Sequence, residues 1–242
     1  MVVFDQGNTL VMDPFPTIME RQKHRFQARF QQHGITIAGE RIIHEWTRSN
    51  RLVNYPYIGH FYQEEPIIQD TLRHLSIRED IAVMLGLELL LEYRTGLRDI
   101  IASDKRTREV KDTLEQLRAR GKRLGVFSND RMVALGFILE AMNVKPLFEY
   151  IETSESSGIE KPDPRVFQHI TSFFKVQPGL IVYVGDDPVR DIEAAKAAGL
   201  AAIQHRVKES AYDQPWRDYG AKIKHQPDAV IEHFSDLLDV IE

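Results

Sequence analysis

The chain opens on three apolar residues, Val2-Val3-Phe4, that run straight into Asp5 and then into Gln6-Gly7-Asn8-Thr9. A short run of β-branched and aromatic residues reads as a buried strand, and the polar, glycine-bearing stretch behind it ends that strand at once. Asp5 therefore stands at a strand's C-terminal tip. The pattern constrains the fold because it recurs. Arg123–Phe127 is a second such strand and leads into Ser128-Asn129-Asp130, while Leu180–Val184 leads into Gly185-Asp186-Asp187-Pro188. Shorter strands are expected at Phe148–Glu152, Leu200–Ile203 and Asp228–Ile231, with helices over Arg108–Arg120, 132–142, from Val166 onward, and over Asp191–Ala198. Strands alternating with helices imply βαβ units and a parallel sheet. Parallel strands aim their C-terminal ends at one edge, where ligands bind, so the polar groups that follow them should converge.

Residues 14–98 have a different character. Ile18, Phe26 and Phe30, then Ile42, Ile43 and Trp46, then Ile81, Met84, Leu85 and Leu89 recur at helical spacing, with breaks at His33-Gly34, Ala38-Gly39 and Tyr55-Pro56. The aromatic run Asn54–Tyr62 reads first as packing between these helices, with contact to substrate as the lesser alternative. The expected architecture is α/β: a doubly wound parallel-sheet core made of residues 1–13 and 99–242, with 14–98 inserted as an all-helical lid over the strand tips.

Composition narrows the partners. A formal charge of −5, from 31 basic and 36 acidic residues, carries no broad basic field and argues against nucleic acid. With no cysteine, a disulfide framework, a thiolate metal site and a cysteine nucleophile are all excluded. The apolar runs fall short of the ~20 residues a membrane span needs, and none at the start suits a signal peptide. The expectation is a soluble cytoplasmic protein, monomer or homodimer.

At the shared sheet edge the sequence places one carboxylate (Asp5), one hydroxyl (Ser128), one ammonium (Lys161) and the acidic group Asp186, Asp187 and Asp191. Singly, each is common as a turn or cap residue. In this order and spacing they make a phosphate-and-metal site. Four stretches carry the pattern: Phe4-Asp5-Gln6-Gly7-Asn8-Thr9-Leu10, Val126-Phe127-Ser128-Asn129, Gly158-Ile159-Glu160-Lys161-Pro162-Asp163-Pro164 and Val184-Gly185-Asp186-Asp187-Pro188-Val189-Arg190-Asp191. They resemble the motifs of the haloacid dehalogenase-like superfamily, and the helical block falls where that family carries its cap domain.

The resemblance implies a Mg²⁺-dependent hydrolase, most often a phosphatase acting on a small phosphorylated molecule, in which Asp5 becomes transiently phosphorylated. It implies Asp5, Asp186 and the Gly7 carbonyl as metal ligands, with Asp191 as an outer ligand. Asp187 either shares that role or caps the following helix. Ser128 would donate to a phosphoryl oxygen, Ser128 and Asn129 would bind substrate, and Lys161 would offset the charge that nucleophile and phosphate bring together.

The sequence departs from the family pattern at one chemically important place. Family phosphatases usually carry a second Asp two residues after the nucleophile, as general acid and base, and here that residue is Gly7. Losing such a group typically costs ~10²- to 10⁴-fold in rate. Asn8 also replaces a usual glycine, though Asn tolerates turn geometry. Three outcomes remain open: a slow or substrate-restricted phosphatase, a non-catalytic phosphate- and metal-binding descendant, and hydrolysis at carbon as in the dehalogenase branch. The acidic fourth motif disfavours the last.

Overall fold

The computed structural model describes residues 1–54, 64–206 and 223–241, with the side chains of 52–54 excepted. The aromatic run from Tyr55 to Tyr62 and most of the stretch from Lys208 to Gln226 lie outside the described residues. The chain divides into two compact units, Met1–Asp13 with Ile101–Glu242, and Pro14–Ile100.

In the first unit β1 (Val2–Phe4) lies between β2 (Leu124–Ser128) and β4 (Val182–Gly185), and β3 (Tyr150–Thr153), β5 (Ala201–His205) and β6 (Ala229–Ile231) complete a parallel sheet of order β3-β2-β1-β4-β5-β6. Phe4 pairs with Val126 on one side and Val184 on the other. A strand flanked on both edges and covered on both faces must be apolar throughout, which is why β1 has no polar residue and is fully buried. Its side chains alternate between faces. Phe4 packs against Phe148 and Phe234, whereas Val3 joins the cluster that holds Phe127, Phe167 and Tyr183.

Strand order reverses between β1 and β4, since the chain winds outward through β2 and β3 and then returns to start again beside β1. In open α/β sheets ligands bind in the crevice at such a reversal. Asp5 follows β1 and Asp186 follows β4, so the two stand on either side of it.

Several element ends differ from the sequence expectation, each for a local reason. The helix expected from Arg108 begins earlier, as α5 (Lys105–Ala119), because Asp104 caps it by accepting the Arg106 N–H at 2.9 Å. The helix expected from Val166 likewise starts at Pro164 (α8, Pro164–Phe174), with Asp163 as cap and proline at the first helical position. The loop after β3 holds one helical turn, α7 (Ser154–Ser157), behind a capping box built by Thr153 and Ser156. The strand expected at Leu180–Val184 begins at Val182, because Pro178–Leu180 form a 3₁₀ turn. The helix expected over Asp191–Ala198 starts at Pro188 as a π-helical segment, Pro188–Glu193, and continues as α9 (Ala194–Ala197). Between β2 and β3 lies α6 (Met132–Ala141), and α10 (Leu237–Val240) follows β6.

The second unit is helical: α1 (Phe15–Gln32), α2 (Gly39–Asn54), α3 (Glu64–His74) and most of α4 (Glu79–Ser103). Phe26 packs on Trp46 with ring centroids 4.9 Å apart, and Trp46 stacks on Tyr93 at 5.9 Å. Along α4 the buried line is Leu85, Leu89, Tyr93 and Leu97, four residues apart, while Met84, expected on that face, is exposed. Apolar residues surround this helix, so periodicity alone could not say which of them the neighbours would cover. No described helix is long and apolar enough to cross a membrane.

Candidate active site

Adjacent parallel strands place Asp5, Ser128 and Asp186 at one edge of the sheet. The loop after β1 folds back on itself, with the Gln6 carbonyl accepting the N–H groups of Leu10 at 2.9 Å and Val11 at 3.1 Å. Asn8 carries the left-handed turn this requires (φ 53°), and its Oδ1 accepts the Asp13 N–H at 3.3 Å. Asn is among the few residues that adopt this backbone conformation readily, which accounts for its presence where a glycine is usual. Gly7 is at negative or extended φ, and an added Cβ would meet no heavy atom within 4 Å.

Lys161 joins the site from the loop before α8. Its Nζ donates to Asp5 Oδ1 at 2.6 Å and to Asp191 Oδ1 at 2.6 Å, and the side chain is 3% exposed. Two hydrogen bonds to Asn129 fix its backbone: Asn129 Nδ2 donates to the Lys161 carbonyl, and Asn129 Oδ1 accepts the Lys161 N–H, both at 2.9 Å. The described side-chain bonds of Asn129 are thus committed to the Lys161 loop. Ser128 Oγ donates to Gln6 Oε1 at 3.2 Å.

Each carboxylate of the fourth stretch has a distinct environment. Asp187 is the cap of the helical segment behind it. Its Oδ1 accepts the N–H groups of Val189 at 2.9 Å and Arg190 at 2.8 Å, while Oδ2 takes Arg190 Nε at 3.1 Å. Of the two roles open to Asp187, this geometry matches the cap. Asp191 Oδ2 accepts the Asp187 N–H at 3.0 Å, which turns its other oxygen toward Lys161. Gly185 leaves room for this, because a Cβ there would overlap the Asp191 carboxylate.

Asp5, Asp186 and Asp191 are all buried, and one oxygen of each lies within 4.8 Å of the others. Burial pushes the Asp191 carboxyl up to about 6, with the charges of Asp5 and Asp187 adding to that and Lys161 opposing it. Burial alone would lower the Lys161 ammonium, yet Asp191 and Asp5 outweigh it and hold the group well above its ordinary value. Among the described residues Lys161 is the ammonium bonded within this group, shared by Asp5 and Asp191, and the Arg106 charge acts on Asp186. Burying charges this way costs free energy that pairing repays only in part, so the arrangement is a poor device for stability. Strongly perturbed groups gathered at a ligand-binding edge mark functional sites instead.

Three nearby residues escape the strand-tip pattern as the sequence was read. Gln6 faces Ser128. His205, at the tip of β5, donates from Nδ1 to the Asn8 carbonyl at 2.7 Å, and Arg106 Nη2 donates to the Thr9 carbonyl at 3.0 Å. Extending the strand expected at Leu200–Ile203 by two residues would have put His205 at its tip. Arg106 leaves no such mark, because its place depends on how α5 packs.

A doubly wound α/β sheet with a buried lysine shared by two carboxylates at its reversal point defines an enzyme core. A family model for haloacid dehalogenase-like hydrolases matches residues 1–199, and the chain belongs to that family. It is 35% identical over 132 residues to the human haloacid dehalogenase-like hydrolase domain-containing protein 3, covering 54% of this chain and 51% of that protein. It is 32% identical over 135 residues to a glyceraldehyde 3-phosphate phosphatase of Methanopyrus kandleri, covering 55% of each. These matched regions span about half the length of the relatives. Among solved structures, a 2-haloacid dehalogenase from Pseudomonas syringae pv. Tomato superposes with a TM-score of 0.68 at 26% identity, over 99% of this chain and 96% of that one.

Proposed function

We propose that this hydrolase is a phosphatase for a small phosphorylated molecule, with Asp5 as nucleophile and Mg²⁺ as cofactor. The observation that carries the reading is the placement of Lys161 Nζ 2.6 Å from both Asp5 and Asp191, in a buried cluster of three carboxylates. Hard carboxylate oxygens gathered within 4.8 Å of one another suit Mg²⁺, and Asp5, Asp186 and the Gly7 carbonyl would hold it, with Asp191 outside them. When bound, the ion supplies the positive charge that lets a carboxylate approach a phosphate.

In this reading Asp5 Oδ attacks phosphorus, the bond from phosphorus to the leaving oxygen breaks, and an aspartyl phosphate forms. Water then attacks that phosphorus, releasing inorganic phosphate and restoring the Asp5 carboxylate. Lys161 stays protonated and offsets the charge of nucleophile and phosphoryl group, and Ser128, whose hydroxyl proton goes to Gln6 Oε1, borders the phosphoryl group from the tip of β2. Asn129 supports Lys161 from behind. With Gly7 in place of an acid, the leaving oxygen takes its proton from substrate or solvent, so good leaving groups are favoured. We read the helical unit Pro14–Ile100 as the family's cap, the seat of substrate choice. A cysteine-free chain fits a reducing cytoplasm.

The test is phosphate release from p-nitrophenyl phosphate and from acyl phosphates, with Mg²⁺ and with chelator. Mg²⁺-dependent turnover that disappears in Asp5→Asn is the expected result. A second reading, hydrolysis of a carbon–halogen bond, draws on the likeness to the 2-haloacid dehalogenase and on the missing acid at Gly7. Metal-independent halide release from 2-haloacids, with no phosphate release, would replace the first reading by the second.

A further inference from the structure

Gln6 lies between the proposed nucleophile and Gly7 and has no part in the chemistry above. It is 6% exposed, an unusual degree of burial for a primary amide. Only its Oε1 is engaged, by the Ser128 hydroxyl at 3.2 Å, and among the described residues Nε2 has no hydrogen-bond partner. Nor is Nε2 one of the buried atoms sealed off without a partner, as Thr9 Oγ1 is, so it keeps access to solvent. The same residue's carbonyl accepts Leu10 and Val11, which fixes the root of the side chain.

A hydroxyl has one proton to give. Here Ser128 gives it to Gln6 Oε1, so the donor that the pair presents is the amide nitrogen. This N–H₂ is left to solvent on a side chain otherwise held in place, and an anionic oxygen is a stronger acceptor for it than water. The preceding residue, Asp5, is acidic, and an uncharged amide can donate to an anion there without giving up a proton to it.

We propose that Gln6 is a substrate-contacting residue whose Nε2–H₂ donates to a non-bridging phosphoryl oxygen, with Ser128 holding the amide in that orientation. The proposal rests on the phosphatase reading and adds a residue to its phosphate-binding set.

The test uses orthovanadate and inorganic phosphate as probes on the full chain, with kcat and KM for p-nitrophenyl phosphate and thermal unfolding measured alongside. Gln6→Met keeps length and removes both polar atoms. Gln6→Glu keeps an acceptor for Ser128 but loses the donor. Both variants are expected to weaken vanadate inhibition about tenfold or more, roughly the 1.4 kcal/mol of one good hydrogen bond to an anion, while unfolding stays close to wild type. Should Gln6→Met fail to fold, Gln6→Glu decides alone. Unchanged vanadate inhibition in Gln6→Glu overturns the proposal, because the residue would then act only on Ser128. A wild-type protein that neither binds vanadate nor releases phosphate defeats the phosphatase reading itself, and this proposal with it.

Discussion

Asn129 grips the backbone of Lys161 through a reciprocal pair of hydrogen bonds, each 2.9 Å long, between residues 32 apart in sequence. The lysine therefore arrives between Asp5 and Asp191 with its root fixed to the tip of β2, and only its side chain is left to find a rotamer. Asn129→Ala removes both bonds and should cost about 1–3 kcal/mol of stability, at ~0.5–1.5 kcal/mol each. Turnover should fall by roughly 10-fold or more with a smaller change in KM, since the substrate would meet a lysine that is present but misplaced. Urea unfolding and steady-state kinetics check the two parts separately, and wild-type turnover in the variant would show that Lys161 needs no such support.

Gly185 and Asp191 make a second dependent pair. A methyl group on Gly185 would overlap the Asp191 carboxylate, which cannot retreat while it holds the Asp187 N–H and Lys161 Nζ. Gly185→Ala should therefore destabilise by ~1–3 kcal/mol, the usual cost of overpacking. On the proposed Mg²⁺ site it should also shrink the rise in unfolding temperature expected when Mg²⁺ is added. A variant with the full Mg²⁺ response would show that Asp191 moves without disturbing the acidic cluster.

Much of the sheet was legible in the sequence because burial on both faces leaves a recognisable run of apolar residues, and the polar residue that the edge requires closes β2 as Ser128 and directly follows β1 and β4 as Asp5 and Asp186. Knowing that the strands are parallel was then enough to expect Asp5, Ser128 and Asp186 at a common edge. The helix starts were less legible, although Asp104 and Asp163 carry ordinary cap chemistry, because amphipathic periodicity marks the middle of a helix and says little of its first turn. The two roles of Asp187 could not be separated by sequence at all, since a cap and a ligand are the same residue type before the same proline. Gln6 carries no sequence signal, because a single polar residue inside a loop has no pattern. Its meaning lies in a contact with Ser128, 122 residues away.

His205 gives the fold a pH dependence. It is 1% exposed, donates to the Asn8 carbonyl, and has Arg106 Nη2 3.4 Å from its Nε2. Burial first, and the Arg106 charge second, push its pKa below the ordinary 6.5. The unfolded chain takes up a proton near that value while the folded chain resists, so this contribution to stability is complete above pH 6.5 and is lost as pH falls through the folded pKa. His205→Gln keeps a side-chain donor and removes the titration. Between about pH 7 and 5 the wild-type urea midpoint should fall more steeply than that of the variant. Parallel curves would show that some other group sets the acid limb.

Gly7 is the position where sequence and geometry together permit a gain. No heavy atom lies within 4 Å of a Cβ built there, and the left-handed turn falls on Asn8, so a side chain at residue 7 meets neither a clash nor backbone strain. Gly7→Asp would put a carboxylate two residues beyond Asp5, where family phosphatases usually carry their general acid. If that acid is all the site lacks, turnover of alkyl phosphate esters should rise by ~10²- to 10⁴-fold, because their leaving oxygens need a proton as the bond to phosphorus breaks. Turnover of p-nitrophenyl phosphate should rise less, since its phenolate departs without a proton and gains only from the base that helps water attack the aspartyl phosphate. The contrast between the two esters is the informative measurement, for an added charge that merely altered metal affinity would move both rates together. A flat or reduced rate on alkyl esters would mean that the space at Gly7 serves a different reaction.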